Sequence, residues 1–449
     1  MRQWVVIAFA LMVALFSPLR PVHAQPALVF DLDSGQVLIA NEAGRRWYPA
    51  SLTKLMTAYL TFQAIKSGKL SFSSRVKISR NAANGGGRGA ARLGVKPGTE
   101  LSVDYMLLSL LVRSDADMAV ALAEAVGGSE KNFVKMMNRT ARRLGMTATH
   151  FVNPHGMGHP GQVTTARDMG MLAMGLYHHF LKRNPSWWRY FSTPYIRSGK
   201  RKRKNRNHLL FMMKGANGMK TGFICASGFN LLATARRNGR LLAAVVLGRK
   251  TAHTRASFAR IMLEEGFRRL GAGIKGGVFL PQIRNSPAAP PDISADICKG
   301  RTIRMAEFSA PEAARGWAVA IGGYRASVNA EAALEAELLA AGLWGRELPF
   351  GVARLPEEKK YAGLAWGLNE SYATSLCVRA RAHRVPCKMY PPQAFSQLAA
   401  LIAEDRARRK ALEEERKKRK ARRKARGGKK IRKRRGNFAS RRKHAANPR

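Results

Sequence analysis

YPASLTKLMT, residues 48–57, stands between a stretch that alternates like a hairpin and one that repeats like a helix. Upstream, Leu28, Phe30 and Leu32 alternate, Asp33-Ser34-Gly35 reads as a turn, and Val37 and Ile39 resume the alternation, so Ala27 to Asn41 is a β-hairpin. Downstream, Leu52, Leu55, Met56, Tyr59 and Leu60 recur at helical spacing, with Pro49 just ahead. Ser51 and Lys54 therefore lie three apart at a helix start and face the same way. A serine hydroxyl is a poor nucleophile without a base in reach. A helix N-terminus and a second cation both lower a lysine pKa, which makes the amine of Lys54 a usable base. S-x-x-K alone carries little weight. It recurs at Ser74-Lys77 and Ser440-Lys443, which read as solvated surface, and a serine at position 51 also suits a helix cap.

The sequence farther out narrows the choice. Helical segments follow over roughly Val103–Arg113, Met118–Val126, Glu130–Leu144 and Ala166–Phe180. Strands return late: Gly228–Arg237 and Arg240–Gly248 flank Asn238-Gly239, a strong hairpin signal. Strands at both ends with helices between them predict an α+β fold, in which one antiparallel sheet is built from both ends and packed by a helical insert. Lys220-Thr221-Gly222 precedes the late hairpin as an edge strand. Its lysine and hydroxyl suit a carboxylate, and its glycine permits close backbone approach. S-x-x-K, a middle S-D-N-type element and K-T-G occur together in penicillin-binding proteins and β-lactamases, and the order here fits.

Over about Ala27 to Leu270 the chain resembles the low-molecular-mass D-alanyl-D-alanine carboxypeptidases, the S11 serine peptidases. YPASLTKLMT, LGVKPG at 93–98, TARDM at 165–169 and GMKTGF at 218–223 carry the likeness. The resemblance implies a β-lactamase/transpeptidase-like domain with no metal and no cofactor. It implies that Ser51 is acylated by the penultimate D-Ala carbonyl, that Lys54 takes the serine proton, and that Ser114 relays a proton toward the leaving amine. Lys220 and Thr221 would bind the terminal carboxylate. Gly222 would allow close approach, and the N–H groups of Ser51 and Phe223 would hold the oxyanion. Peptidoglycan pentapeptide stems and β-lactams are the implied ligands.

One position departs from the family. The middle motif S-x-N reads Ser114-Asp115-Ala116, followed by Asp117. Alanine cannot make the asparagine's contact with the substrate amide, so Asp115 or a local shift replaces it, or turnover is reduced. The alternative to an active carboxypeptidase is a catalytically weakened penicillin- and peptidoglycan-binding protein. A β-lactamase is disfavoured because no deacylating Glu motif follows Ser114.

The N-terminus points to export: Arg2, an apolar run over Trp4–Phe16, and Val22-His23-Ala24 read as a signal peptide over 1–24, with an uncleaved anchor as the alternative. Export to the periplasm changes the meaning of the formal charge of +51. From Arg406 to Arg449 there are 23 Lys/Arg against 3 Glu. In an exported chain this tail meets an anionic membrane surface or cell-wall polymer, and no nucleic acid is expected. The expected domains are a catalytic domain at 25–272, a Pro- and Gly-punctuated linker at 273–314, a small α+β unit at 315–392 and a basic helical or disordered tail at 393–449. The unit at 315–392 resembles a SPOR domain, which implies binding of glycan strands. Phe395, Leu398 and Ile402 start a weak apolar stripe that suits a membrane interface. Cys377 and Cys387 are close enough to pair, Cys225 reads as a small buried hydrophobe, and Cys298 sits in the linker without an assigned partner. Asn84-Gly-Gly-Gly-Arg-Gly89 reads as a loop and not a phosphate cradle. His150, His155 and His159 read as loop residues, and the basic run at 200–204 as a solvated hairpin whose field reaches toward Lys220.

Overall fold

The computed structural model describes residues 25–199, 201–274, 277–300, 305–306, 315–344 and 348–444, with side chains up to residue 421. The expected signal peptide at 1–24 lies outside these residues. The chain divides into two compact units, Met1–Thr302 with Glu335–Arg346, and Ile303–Leu334 with Glu347–Arg449.

In the first unit β1 (Ala27–Asp31) and β2 (Val37–Asn41) form the expected hairpin. Asp31 fixes its turn by accepting the amides of Asp33 and Ser34 at 3.0 and 2.9 Å, and Gly35 supplies a φ of +77°. Helix α1 (Lys54–Lys66) follows a short 3-10 turn at Ala50–Thr53. The spacing suggests one buried face, but ten of its thirteen residues are buried. The helix is central, and its threonines and Lys54 reach that depth because they find partners. Next come α2 (Ala116–Gly127), α3 (Glu130–Arg143) and α4 (Ala166–Leu176), the last two capped by the side chains of Ser129 and Thr165. A two-stranded ribbon, β3 (Tyr195–Ser198) and β4 (Arg201–Lys204), precedes β5 (Ala216–Ile224), β6 (Gly228–Arg237), β7 (Arg240–Arg249) and α5 (Ala252–Gly271).

The main sheet is antiparallel, in the order β2-β1-β7-β6-β5. β1 lies beside β7, Ala27 opposite Val246, so the N-terminal hairpin and the late strands form one sheet around the helical insert, as expected. Asn238 and Gly239 both take positive φ, +48° and +76°, which a two-residue hairpin turn between β6 and β7 needs.

Part of the expected linker is not free. Leu280 is fully buried in the first unit's core, and Ile283 and Ile293 pack against it. Cys298 forms a disulfide with Cys225, whose Cα atoms lie 5.7 Å apart. This corrects the reading of Cys225 as an unpaired buried hydrophobe and gives Cys298 its partner. Only the folded chain brings cysteines 73 residues apart together.

The second unit contains β8 (Trp317–Tyr324), the first half of α6 (Ser327–Ala340), β9 (Phe350–Leu355), β10 (Lys360–Leu368), α7 (Glu370–Ala382), β11 (Cys387–Tyr390) and α8 (Pro392–His444). Its sheet runs β9-β10-β8-β11, all antiparallel, and a Cys377–Cys387 disulfide joins α7 to β11. Two expectations about the tail change. The helix runs on to His444 through a segment rich in Ala, Lys, Arg and Glu, with no proline between Pro392 and Pro448. The stripe of Phe395 and Ile402 is not a membrane face: both are buried with Ala399 against Leu364 and Trp366 of the sheet. A stripe of that width fits a sheet as well as a lipid boundary, so periodicity could not tell them apart.

Candidate active site

The nucleophile turn is held from three sides. Ala50, just before Ser51, has a φ of +47°, a left-handed conformation that costs a non-glycine residue about 1–3 kcal/mol and must be imposed by its neighbours. Gly156 is one of them: a Cβ there would lie 1.9 Å from the Ala50 carbonyl oxygen, and its φ is +82°. Gly222 of β5 is the second, since a Cβ there would come within 2.8 Å of Pro49 O and 3.2 Å of the Ser51 nitrogen. That approach brings the strand carrying Lys220 and Phe223 alongside the Ser51 amide. From β6, Asn230 donates to Tyr48 O at 2.9 Å and accepts from Gly248 N at 2.9 Å, which ties the turn to the sheet.

Lys54 is 1 % exposed, with its Nζ 3.1 Å from Ser51 Oγ and 2.5 Å from His155 O. Burial lowers its pKa to about 7, the nearby Arg206 charge adds to that, and Asp115 opposes it. At neutral pH a large share of this amine is unprotonated and within reach of the serine proton, as a general base must be. His155 does sit in a loop, as its sequence context implies. Its carbonyl, not its ring, meets Lys54, while burial lowers the ring's pKa to about 3 and keeps it neutral.

Ser114 also has positive φ, +70°, at the end of a π-turn over Ser109–Arg113, and is 5 % exposed. Asp115 beside it is buried and accepts from Ser109 Oγ at 2.7 Å, and burial raises its pKa. Its charge reaches Lys54 and Lys220, although the side chain is anchored on Ser109. Ala116 is 1 % exposed and begins α2 with its amide on Ala91 O at 2.7 Å. The loop over Gly86 and Ala90 closes on it, since a Cβ on Gly86 would lie 2.7 Å from each of the Ala116 and Ala90 methyls. This turn therefore packs closely on the Ala116 methyl. Asp117 holds the same loop by accepting the amides of Leu93 and Gly94 at 3.1 and 2.9 Å.

Lys220 is 1 % exposed and donates to Thr221 O at 2.7 Å. Burial, then the charges of Lys54, Arg206 and Arg255, hold its pKa well below the usual lysine value. Arg255, on α5, is buried and donates to Arg206 O at 3.1 Å and Asn230 O at 3.4 Å; burial brings its pKa to about 9. Four basic side chains, Lys54, Lys220, Arg206 and Arg255, thus share one region with Asp115 and Asp117 as the acidic groups coupled to Lys54, and the two guanidiniums favour an anionic guest. Every residue singled out from sequence as catalytic or substrate-binding falls on three neighbouring segments: the turn at Ser51, the turn at Ser114, and β5. Sequence reasoning missed Arg206, Arg255, Asn230 and the His155 carbonyl. Arg206 adjoins a basic run that masked it, and the other three carry no local motif.

A serine and a low-pKa lysine beside an antiparallel edge strand are a combination suited to serine acyl transfer. The Peptidase S11 family, D-alanyl-D-alanine carboxypeptidase, matches residues 14–251. D-alanyl-D-alanine carboxypeptidase DacC of Escherichia coli is 32% identical over 324 residues, 64% of this chain and 80% of that protein. DacF of Bacillus subtilis is 34% identical over 250 residues, 55% of this chain and 62% of that protein. The crystal structure of penicillin binding protein 5 from Haemophilus influenzae superposes with a TM-score of 0.51 at 34% identity, covering 55% of this chain and 71% of that one. The chain belongs to the S11 D-alanyl-D-alanine carboxypeptidases and is a serine peptidase with a transpeptidase-like fold.

Proposed function

We propose that the first unit removes the terminal D-alanine from peptidoglycan pentapeptide stems through an acyl-enzyme on Ser51. The observation that carries this is the buried Lys54 amine, 3.1 Å from Ser51 Oγ with its pKa lowered to about 7. Lys54 takes the serine proton as Oγ attacks the penultimate carbonyl. The amides of Ser51 and Phe223 hold the oxyanion. The proton held on Lys54 passes through the Ser114 hydroxyl to the departing amine, the C–N bond breaks and D-Ala leaves. Water then attacks the ester, Ser51 recovers its proton, and the shortened stem departs. Lys220 and Thr221, with Arg255 behind them, hold the terminal carboxylate of the substrate. β-Lactams enter the same turn and acylate Ser51.

Ala116 favours a second reading in which acylation persists and turnover is slow. Fluorescent-penicillin labelling and D-Ala release, measured on wild type and Ser51→Ala, separate the two. Labelling with release supports the peptidase, labelling without release supports the weakened form, and an unlabelled wild type rejects Ser51 as nucleophile.

The second unit is a SPOR-like binder of glycan strands in this reading, supported by its β-α-β-β-α-β order and its single antiparallel sheet. The chain acts in the periplasm after export, a view that rests on the N-terminal sequence. No described helix is long and apolar enough to cross a membrane. The basic helix beyond Asp405 holds the protein to anionic membrane or wall by salt-sensitive attraction.

A further inference from the structure

The ribbon β3–β4 has a composition that its own stability does not require. Between Tyr195 and Arg206 the chain carries seven Lys/Arg and no Asp or Glu. Pairing sets like charges face to face, with Arg197 opposite Lys202, an arrangement that weakens a two-stranded ribbon. Ile196 is its buried apolar anchor. Among the described residues, none of Arg197, Arg201, Lys202 and Lys204 forms an ion pair. Instead Lys202 Nζ lies 4.4 Å over the Tyr195 ring and Lys204 Nζ 4.0 Å over Phe211. The two rings are 5.8 Å apart and each is 39% exposed. The ribbon thus presents a cluster of cations without acidic partners, braced on an aromatic pair and open to an anion.

Its attachment shows where that anion goes. Arg113, the residue before Ser114, donates to Lys204 O at 2.7 Å, and Arg206 N donates to Val112 O at 3.2 Å. Tyr105 donates its hydroxyl to Arg197 O at 2.8 Å. Asn207 donates to Gly218 O at 2.9 Å, two residues before Lys220 on β5. The ribbon is thus bonded to the turn that presents Ser114, and the segment just after it, through Asn207, to the strand that presents Lys220. It forms a charged flange on the catalytic site.

We propose that the ribbon Tyr195–Lys204 is a docking surface for the anionic stem peptides of the wall polymer, separate from the residues that hold the D-Ala-D-Ala terminus. The inference rests on reading the Ser51 site as a D-Ala-D-Ala carboxypeptidase site. The polymer repeats acidic peptides along its length, so a second stem can engage the flange while the first is cleaved. Clustered charge raises the local concentration of such a polyanion. A membrane is the poorer fit, because a lysine ammonium lies over each ring and inserting the rings would carry the charges toward hydrocarbon.

The test uses the full chain with Arg201→Gln, Lys202→Gln and Lys204→Gln combined. It compares kcat/KM for D-Ala release from soluble pentapeptide-bearing glycan strands and from a neutral N-acyl-D-Ala-D-Ala dipeptide. The ratio of strand to dipeptide kcat/KM is expected to fall about tenfold in the triple variant, through KM, and to decline less steeply with rising salt, the basic tail keeping its own share of that dependence. A charge-preserving set, Arg201→Lys, Lys202→Arg and Lys204→Arg, is expected to keep the wild-type ratio. A triple variant with the wild-type ratio and salt dependence overturns the proposal, and so does loss confined to anionic vesicles or duplex DNA. If the catalytic reading is wrong, wild type releases D-Ala from neither substrate. Co-sedimentation with insoluble wall polymer then decides the matter, and equal binding by wild type and the triple variant overturns docking.

Discussion

At the residue scale, the site depends on keeping a lysine in an environment that disfavours its charge. The pKa of Lys54 falls from the ordinary 10.5 to about 7, chiefly through burial. The folded chain therefore binds fewer protons at this site than the unfolded chain between those values, so stability rises with pH across that window. The penalty is fully present below about pH 7 and is lost above the unfolded pKa; for a shift of this size it is on the order of a few kcal/mol. Lys54→Met is expected to abolish activity and to raise Tm more at pH 6 than at pH 10, by calorimetry at both. In the wild type, kcat/KM for D-Ala release is expected to climb with pH through about 7 as the amine is freed, and a flat profile there would remove Lys54 as the base. Ala116→Asn is expected to increase D-Ala release while lowering stability by about 1–3 kcal/mol, because the turn over Gly86 and Ala90 must move aside. Release assays and thermal melts on one preparation check both halves.

Among the elements, glycines decide how close the site's parts come. Gly156→Ala would place a methyl on the Ala50 carbonyl, where the backbone already holds a left-handed conformation on both sides. The expected result is loss of penicillin labelling and a stability cost of at least about 2 kcal/mol by denaturant titration. The Cys225–Cys298 bond ties the segment after α5 to the turn that ends β5, two residues beyond Phe223. Reduction is expected to expose residues 286–300 to proteolysis before the sheet unfolds. Mass spectrometry of timed digests, with and without reductant, reads this directly. These elements are unequally legible. The β6–β7 hairpin can be read nearly to the residue because Asn238-Gly239 is a local signal, whereas α1 looks one-sided because its polar residues are buried by partners remote in sequence.

For the whole molecule, the tail is anchored before it is basic. Phe395, Ala399 and Ile402 fill the second unit's core, and Asp405 pairs with Arg354 at 3.3 Å. A truncation at 404 therefore cuts next to packed structure, while one after Lys420 removes 14 Lys/Arg and no Asp or Glu. The longer truncated chain, ending at 420, is expected to keep the wild-type melting profile and to lose salt-sensitive sedimentation with anionic vesicles or wall polymer. Unchanged sedimentation would end the electrostatic role of residues 421–449.

The sequence by itself determined the S-x-x-K segment at a helix start, the K-T-G strand, the α+β order of elements and the expectation of export, because each rests on local spacing or on a motif a few residues long. Tertiary structure alone decided the rest. The pKa of Lys54 is lowered by burial and by the proximity of Arg206, and its amine meets the His155 carbonyl, both partners more than a hundred residues away in sequence. Cys225 became a disulfide partner across 73 residues, and an apolar stripe in the tail became part of a core. Burial, pairing and electrostatic coupling belong to the assembled chain, so periodicity can mark the faces but not what covers them.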